Sequence, residues 1–570
     1  MRNVLILGGL VGMFLGWNTP NHYPLWTTFH GEFAAAVGVC LVLAGVLWPL
    51  TGSTGSASHS VRVPVPLPWA AKIWLIVGLL PALQYLSGQL DFYGDALLGF
   101  LYFAGVGLSL YAGRLWAAQA GVMTALRWFF LTVLLSALAA GGLAFWQWVR
   151  LPTPGWWAMD LINSRPYANF AQPNLFGLLT VMGIVAASAL FEMRILERRL
   201  SYWIVLLFLG GALLVSESRA ALVAVLSVAG LWFATRGRAP TRLHWYEVVG
   251  VLALGWVAHN SLNRIEEAVY LNATAARSVL EVGPREAIWL HFWAAIREHP
   301  WLGYGFNQGV AALREVAAHV QPSRNTIYAH NVVLDLLTWF GIPLGVAMTG
   351  ALLAWMASWL KKTESGELMA QRHCALALWL ALLVQSLLEF PFAHAFFILP
   401  AALLAGAATC ASRPSPSDVR FVATAPALAF AALTTALLGL VAWDYLQFEA
   451  EFRANRFDKG NFVTPSVHEP QTGPIMLDQL AALNASARYK IRRGMPRAEI
   501  EQLARLARRF HLLPTRFEYA KALALNGRMP EANDELLMIR GIYHPKLWNE
   551  IERDWQDWLV TEHLEPTLPR

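Results

Sequence analysis

Long apolar runs recur along most of this chain, and they dictate what it can fold into. Stretches such as Ala70–Leu86, Trp128–Phe145, Leu175–Phe191, Tyr202–Val215 and Val332–Leu360 mostly approach or exceed the ~20 apolar residues that carry a helix across a hydrocarbon core. About thirteen such segments are expected, within a range of 11–14: roughly 3–17, 32–50, 69–87, 92–111, 128–148, 172–191, 201–216, 220–235, 245–260, 331–359, 373–388, 393–411 and 421–442. The expected fold class is therefore all-α, a polytopic transmembrane helical bundle. Charged residues are only 14% of the chain, against roughly 25% in an average soluble domain. The apolar run after Arg2 has no A-x-A-like cleavage site and is followed by further runs, so it is read as the first span.

The basic residues set the expected sidedness. Alternate connections carry Arg62 and Lys72; Arg114 and Arg127; Arg194, Arg198 and Arg199; Arg236, Arg238 and Arg242; Lys361, Lys362 and Arg372; Arg413 and Arg420. By the positive-inside rule these face the cytoplasm, and the intervening connections face outward. The net charge of +6 thus reflects topology, and no soluble basic domain points to nucleic acid. The domain expectation is N-terminal transmembrane helices over 1–260, a large outer loop over 261–330, C-terminal transmembrane helices over 331–442 and an outer helical domain over 443–570. Within the loop, Pro284–Glu298 and Val310–His319 have the period of short helices. Within the tail, "AEIEQLARLARRF" and "RFEYAKALALNGRMPEANDELLMIRGIY" have 3.6-residue periodicity and resemble one helix-turn-helix of a tetratricopeptide repeat.

Polar residues at membrane depth are costly, so a cluster on one side is a functional hypothesis. Arg165, Asn169, Gln172 and Asn174 open the sixth span from the outer side, and Ser216, Glu217, Ser218 and Arg219 form the next outer turn. Arg285 lies in the outer loop; Tyr328, His330, Asn331 and Asp335 close it; Glu389 sits at the outer end of a later span. Each has a plainer alternative. Gln172-Pro173-Asn174 is also a competent helix start, Arg219 can anchor a turn by reaching the headgroups, His330 can be interfacial, and Glu389 can cap or pair with an arginine. The remaining histidines have no ligand spacing, the three cysteines (Cys40, Cys374, Cys410) lie in or beside apolar runs, and neither a P-loop nor a G-x-G-x-x-G motif occurs. No metal and no cofactor is expected. Together, three outward arginines with a histidine and a glutamine suit a lipid-linked pyrophosphate, because guanidinium binds phosphate oxygens bidentately and keeps its charge.

The segments "NFAQPNLFG", "SRAAL", "REAIWLHFWAAIREHPWLGYGFNQ", "YAHNVVLDLLTWFGIPLG" and "SLLEFPFAHAFFILPAALLAG" occur in an order that resembles bacterial protein O-oligosaccharyltransferases of the PglL type, within the superfamily of O-antigen ligases and Wzy polymerases. The likeness covers roughly 160–410, and the helical tail is similar as well. One departure is Ala393-His394, where the family pattern has aromatic residues, so its acceptor contacts do not carry over there. The resemblance implies transfer of a glycan from undecaprenyl pyrophosphate to a Ser or Thr of a periplasmic acceptor protein such as a type IV pilin. It implies a multi-pass protein of the bacterial inner membrane with its active site on the periplasmic face. The residues it implies as catalytic are His330, Arg285 and Arg219; those it implies as substrate-binding are Gln172, Asn174, Arg165, Tyr328, Asn331 and Glu389. The competing readings are an O-antigen ligase with lipid A core as acceptor, a Wzy-type polymerase and, in another class, a polytopic transporter.

Overall fold

The computed structural model describes residues 1–21, 26–48, 61–153, 155, 157–162, 165–239, 241–253, 255, 257, 285–317, 320, 326–361, 366–410, 419–459, 476–510, 512–543 and 545–565. Its helices begin with α1 (Arg2–Asn18), α2 (Phe29–Leu47), α3 (Trp69–Val77), α4 (Leu80–Leu86), α5 (Tyr93–Ala120) and α6 (Val122–Trp148). There follow α7 (Pro173–Glu192), α8 (Arg199–Val215), α9 (Arg219–Thr235), α10 (Arg285–Glu298), α11 (Gly309–Val316), α12 (Val332–Ser358), α13 (Glu367–Ser386) and α14 (Ala395–Ala408). The last are α15 (Ala425–Lys459), α16 (Asp478–Ser486), α17 (Arg497–Arg509), α18 (Leu513–Leu525), α19 (Met529–Ile542) and α20 (Pro545–Thr561). The expected apolar segments coincide with helices; 245–260 is helical over 245–253, and the rest of it falls largely outside the described residues. Among the described residues, eight helical stretches are long and apolar enough to cross a membrane, and α8, α9 and α14 are shorter apolar helices. The protein is a polytopic helical membrane protein.

Two compact units make up the chain, one of residues 1–77, 102–281 and 353–435, the other of 78–101, 282–352 and 436–570. In the first unit α7 is central, packed by α6, α8, α9 and α13, with Phe176, Leu178, Leu179, Met182 and Leu190 fully buried. Such an all-round apolar helix belongs in an interior. Two short strands, β1 (Val61–Val65) and β2 (Val419–Ala423), pair in parallel from Val61↔Val419 to Val65↔Ala423. The Tyr111 hydroxyl donates to Val65 O at 2.9 Å, beside the end of this ribbon.

In the second unit α12 is broken at Gly341, where φ is 77°. The groups freed by the break are taken by the turn after α10: Tyr304 N donates to Thr338 O (2.8 Å), Gly305 N to Trp339 O (3.1 Å) and Ile342 N to Pro300 O (2.7 Å). A Cβ at Gly341 would lie 2.3 Å from Trp301 O, so glycine is required both for the left-handed backbone and for the close approach. Buried Gln84 on α4 completes the junction, donating to Trp339 O and accepting Phe306 N–H, both at 2.9 Å. The C-terminal helices share one core that includes Leu503, Leu523, Leu536, Ile539 and Trp555, together with Ala317 from the end of α11. Charge pairs hold α17 to the start of α5 and the loop before it: Arg509 meets buried Asp95 in the first turn of α5 at 2.5 Å, and Arg508 meets Asp91 at 2.8 Å.

Candidate active site

The irregular chain between α6 and α7 is held by buried amides. Gln147, 1% exposed, accepts the N–H of Tyr167 (3.1 Å) and Ala168 (2.8 Å) on Oε1. Its Nε2 donates to the carbonyls of Met159 (2.9 Å) and Ala168 (2.8 Å). Asn169 is equally occupied, donating to Asn18 O (2.6 Å) and Trp157 O (2.9 Å) while accepting Met159 N–H (3.1 Å). These bonds hold two non-glycine residues left-handed, Ala168 (φ 51°) and Ala171 (φ 55°). Such conformations cost on the order of 1–3 kcal/mol each and persist only where the surroundings over-determine them.

Gln172, extended at φ −140°, then opens α7, with Pro173 in the first turn. The helix-start reading of this stretch is thus correct, and the side chains do more. Gln172 Nε2 donates to Glu389 Oε2 (3.2 Å) and Asn174 Nδ2 to Glu389 Oε1 (2.7 Å). Ser218 Oγ donates to Asn174 Oδ1 (2.8 Å), and Gln385 Nε2 donates to Asn174 O. The helices come close enough because residue 177 is glycine: a Cβ there would lie 2.9 Å from those of Ser218 and Ala221. Glu389 is 3% exposed, so amide donors on both oxygens offset the large cost of burying a carboxylate. Arg165 donates to the carbonyls of Ser216 (2.9 and 3.1 Å) and Glu217 (3.0 Å), pinning the turn from which Arg219 starts α9. Ser218 caps that helix, accepting Ala221 N–H at 3.2 Å.

The second unit carries Arg285, Tyr328, His330 and Asn331. Arg285 is the first residue of α10, and Trp289, one turn later, donates its indole N–H to Ala329 O at 3.0 Å. From the other side, Asp335 in the first turn of α12 accepts Ala329 N–H on Oδ1 at 2.9 Å. Ala329, the residue just before His330, is therefore held at both its N–H and its C=O. His330 itself is left-handed at φ 54°, and Asn331 caps α12 by accepting Val333 N–H at 3.0 Å. Ala329 packs with Ile288 and Phe292 of α10 and Leu313 of α11 in a small apolar core. Tyr328 lies edge-on to Trp339, ring centroids 6.3 Å apart. His291, on α10, is fully buried, and loss of hydration pushes its imidazole down to about 4.

The structure thus joins Gln172, Asn174 and Glu389 directly, sets Arg165 on the turn before Arg219, and links Arg285 to His330 through Trp289 and Ala329. The first group belongs to one unit and the second to the other. Sequence reasoning missed Gln147, Gln385 and Trp289 as supports; the signal for the two glutamines was an amide inside an apolar run. Among the described residues no group of three or more His, Cys, Asp or Glu is placed to hold a metal.

Residues 204–349 match the family model described as O-antigen ligase, and residues 373–554 match the one described as virulence factor membrane-bound polymerase, C-terminal. The first match contains Arg219, Arg285 and His330; the second contains Glu389 and most of the C-terminal helices. With its helical fold, this makes the chain a multi-pass membrane protein of the O-antigen ligase superfamily. It is 31% identical over 426 residues to the general O-oligosaccharyltransferase of Acinetobacter baylyi, covering 71% of this chain and 70% of that protein. It is 22% identical over 413 residues to the ComP-specific O-oligosaccharyltransferase of the same organism, covering 71% of each. The chain belongs to the O-oligosaccharyltransferases of the PglL type, and its activity class is glycosyl transfer.

Proposed function

We propose that the protein moves an oligosaccharide from undecaprenyl pyrophosphate to a Ser or Thr hydroxyl of a periplasmic acceptor protein, a type IV pilin being the leading candidate. In this reading it lies in the bacterial inner membrane, with the polar ends of α7 and α9 and the His330 loop facing the periplasm. The acceptor oxygen bonds to the anomeric carbon as that carbon's bond to pyrophosphate breaks, in line and without a metal. His330 takes the hydroxyl proton, and the electron pair leaves with the pyrophosphate oxygen. Arg285 and Arg219 meet the charge that grows on that oxygen, where preorganised cations lower the barrier most. Gln172 and Asn174, set by Glu389, shape a wall for glycan and acceptor. Tyr328 and Asn331 flank the base, and Arg165 supports the turn of Arg219.

The observation that carries this reading is that Ala329 is held at both its N–H and its C=O, which ties the residue before a histidine to the helix that begins with an arginine. The test is co-expression with a lipid-linked O-antigen pathway and a pilin in a host lacking its own ligase. Intact mass of the pilin should rise by one glycan with the native chain and stay unchanged with His330→Ala. Glycan appearing on lipid A core instead would assign the chain to the ligase branch.

A further inference from the structure

A cavity of about 160 Å³ lies in the first unit, toward the arginine-rich ends of four elements: α7, α8, α9 and α13. Val185, Leu206, Ala229 and Ala377 line it, and Val248 and Val251 of the helical stretch over 245–253 bound its remaining side. An apolar cavity of roughly 150 Å³ stays dry and accepts an apolar guest. The polar groups in its wall are turned on one another: Ser188 Oγ donates to Ile184 O (2.9 Å) and meets the Tyr202 hydroxyl (3.1 Å).

Its polar end is different. Exposed Arg236 and Arg238 follow α9, and among the described residues neither is ion-paired with a carboxylate. The nearby acids are already engaged. Glu192 accepts the Thr241 hydroxyl (2.7 Å) and the N–H of Arg242 (2.8 Å), and Glu247 holds Arg199. His373, which lines the cavity on the second turn of α13, has Nε2 buried without a hydrogen-bond partner among the described residues. On α7 the lining runs from Ile184 to Glu192, so its near edge is eleven residues, roughly 16 Å, beyond Pro173 at the Gln172 end.

We infer that this is a structural binding site for an anionic bilayer phospholipid of the inner leaflet. One acyl chain fills the cavity, the ester carbonyls reach His373 Nε2, and the phosphate lies at Arg236 and Arg238. Clefts between membrane helices that are apolar within and basic at the cytoplasmic rim suit such headgroups. The polyprenyl tail of the donor is the less apt occupant, because its pyrophosphate belongs at the opposite end of α7. The inference uses the sidedness of the proposed function but not its chemistry.

The test is native mass spectrometry of the purified full chain, delipidated in detergent and titrated with palmitoyl-oleoyl phosphatidylglycerol or phosphatidylcholine. One tightly retained phosphatidylglycerol is expected. Ala229→Phe, which fills the cavity, should abolish retention. The surface pair Arg236→Gln/Arg238→Gln should weaken it by roughly fivefold per arginine and erase the preference over phosphatidylcholine. Equal retention by all variants, or no headgroup preference in the native chain, overturns the site. A raised donor KM in Ala229→Phe, or a co-purifying polyprenyl mass that this variant loses, assigns the cavity to the donor tail and also overturns it. Lipid retention is read without any transfer reaction, so failure of the proposed activity leaves this result independent.

Discussion

Replacing Asp335 tests whether His330 works because its backbone is held. Asp335 is fully buried, and its Oδ1 accepts the N–H of Ala329, which is itself fully buried, at 2.9 Å. Asp335→Ala leaves that N–H without its acceptor, at about 1–3 kcal/mol. If the loss falls on the reacting geometry it slows the chemical step by roughly five- to 150-fold, since each ~1.4 kcal/mol is a factor of ten. Asp335→Asn keeps an oxygen in the same place. Among the described residues the other carboxylate oxygen has no hydrogen-bond partner, so an amide there loses no bond, and activity should return to within a few-fold of native. Trp289→Phe removes only the indole donor to Ala329 O, worth about 0.5–1.5 kcal/mol, or roughly two- to twelvefold. The assay is transfer from a purified lipid-linked donor to an acceptor protein in detergent, with kcat and KM measured for both substrates. With His330 as the proposed proton acceptor, a loosened grip predicts loss in kcat with KM nearly constant. The combined Asp335→Ala/Trp289→Phe variant should be less than additive, because both act on one residue, Ala329. A folded Asp335→Ala enzyme with native kcat, or an Asp335→Asn enzyme as slow as Asp335→Ala, would refute the reasoning.

Three further outcomes follow from the same geometry. Glu389→Ala should reduce transfer at least tenfold by stranding the amides of Gln172 and Asn174, while Glu389→Gln restores at most one of the two bonds; both are read by the same kinetic assay. His291 titrates near 4 when folded and near its ordinary 6.5 when unfolded, so the unfolded chain binds more protons between those values. Its contribution to stability should therefore be lost as pH falls from about 6.5 to about 4, and His291→Phe should flatten that limb of a pH–melting curve. A side chain at Gly541 would drive its Cβ to 1.9 Å from Ala317 O, so Gly541→Val should lower the melting temperature and expose the loop around α11 to protease.

Apolar run length and the 3.6-residue period were enough to place the helices, including α10, α11 and the α18–α19 pair around "NGRMPEA". The break in α12 was less legible. A 27-residue helix is roughly 40 Å long, more than a ~30 Å core requires, and Gly341 and Pro343 were visible. What makes the break tolerable is the supply of N–H groups from Tyr304 and Gly305, and periodicity carries no trace of a partner that distant. The β1–β2 pairing is of the same kind: two five-residue strands more than 350 positions apart signal nothing locally. Of the candidate site, motif order brought forward the residues, but not their division of labour. Asn169 looked like Gln172 in sequence, yet its side chain bonds the backbone of Asn18, Trp157 and Met159.

That division decides how mutants at this site must be read. Gln172, Asn174, Glu389 and Ser218 are linked by hydrogen bonds to one another, as groups withdrawn from water require. Removing one of them leaves a buried donor or acceptor unpaired, so activity falls whether or not the lost side chain ever touched substrate. Only the variant that keeps the hydrogen bond while changing the group separates the two cases, and a KM that stays displaced in that variant marks a substrate contact. His330 is of the other kind. The backbone on either side of it is held by Trp289, Asp335 and Asn331, through bonds that do not use the His330 ring. Truncating its ring leaves that frame standing. A loss of transfer in His330→Ala with an unchanged melting temperature is therefore loss of function without loss of fold, whereas the same loss in Glu389→Ala is not evidence of a substrate contact, because that variant also strands two buried amides.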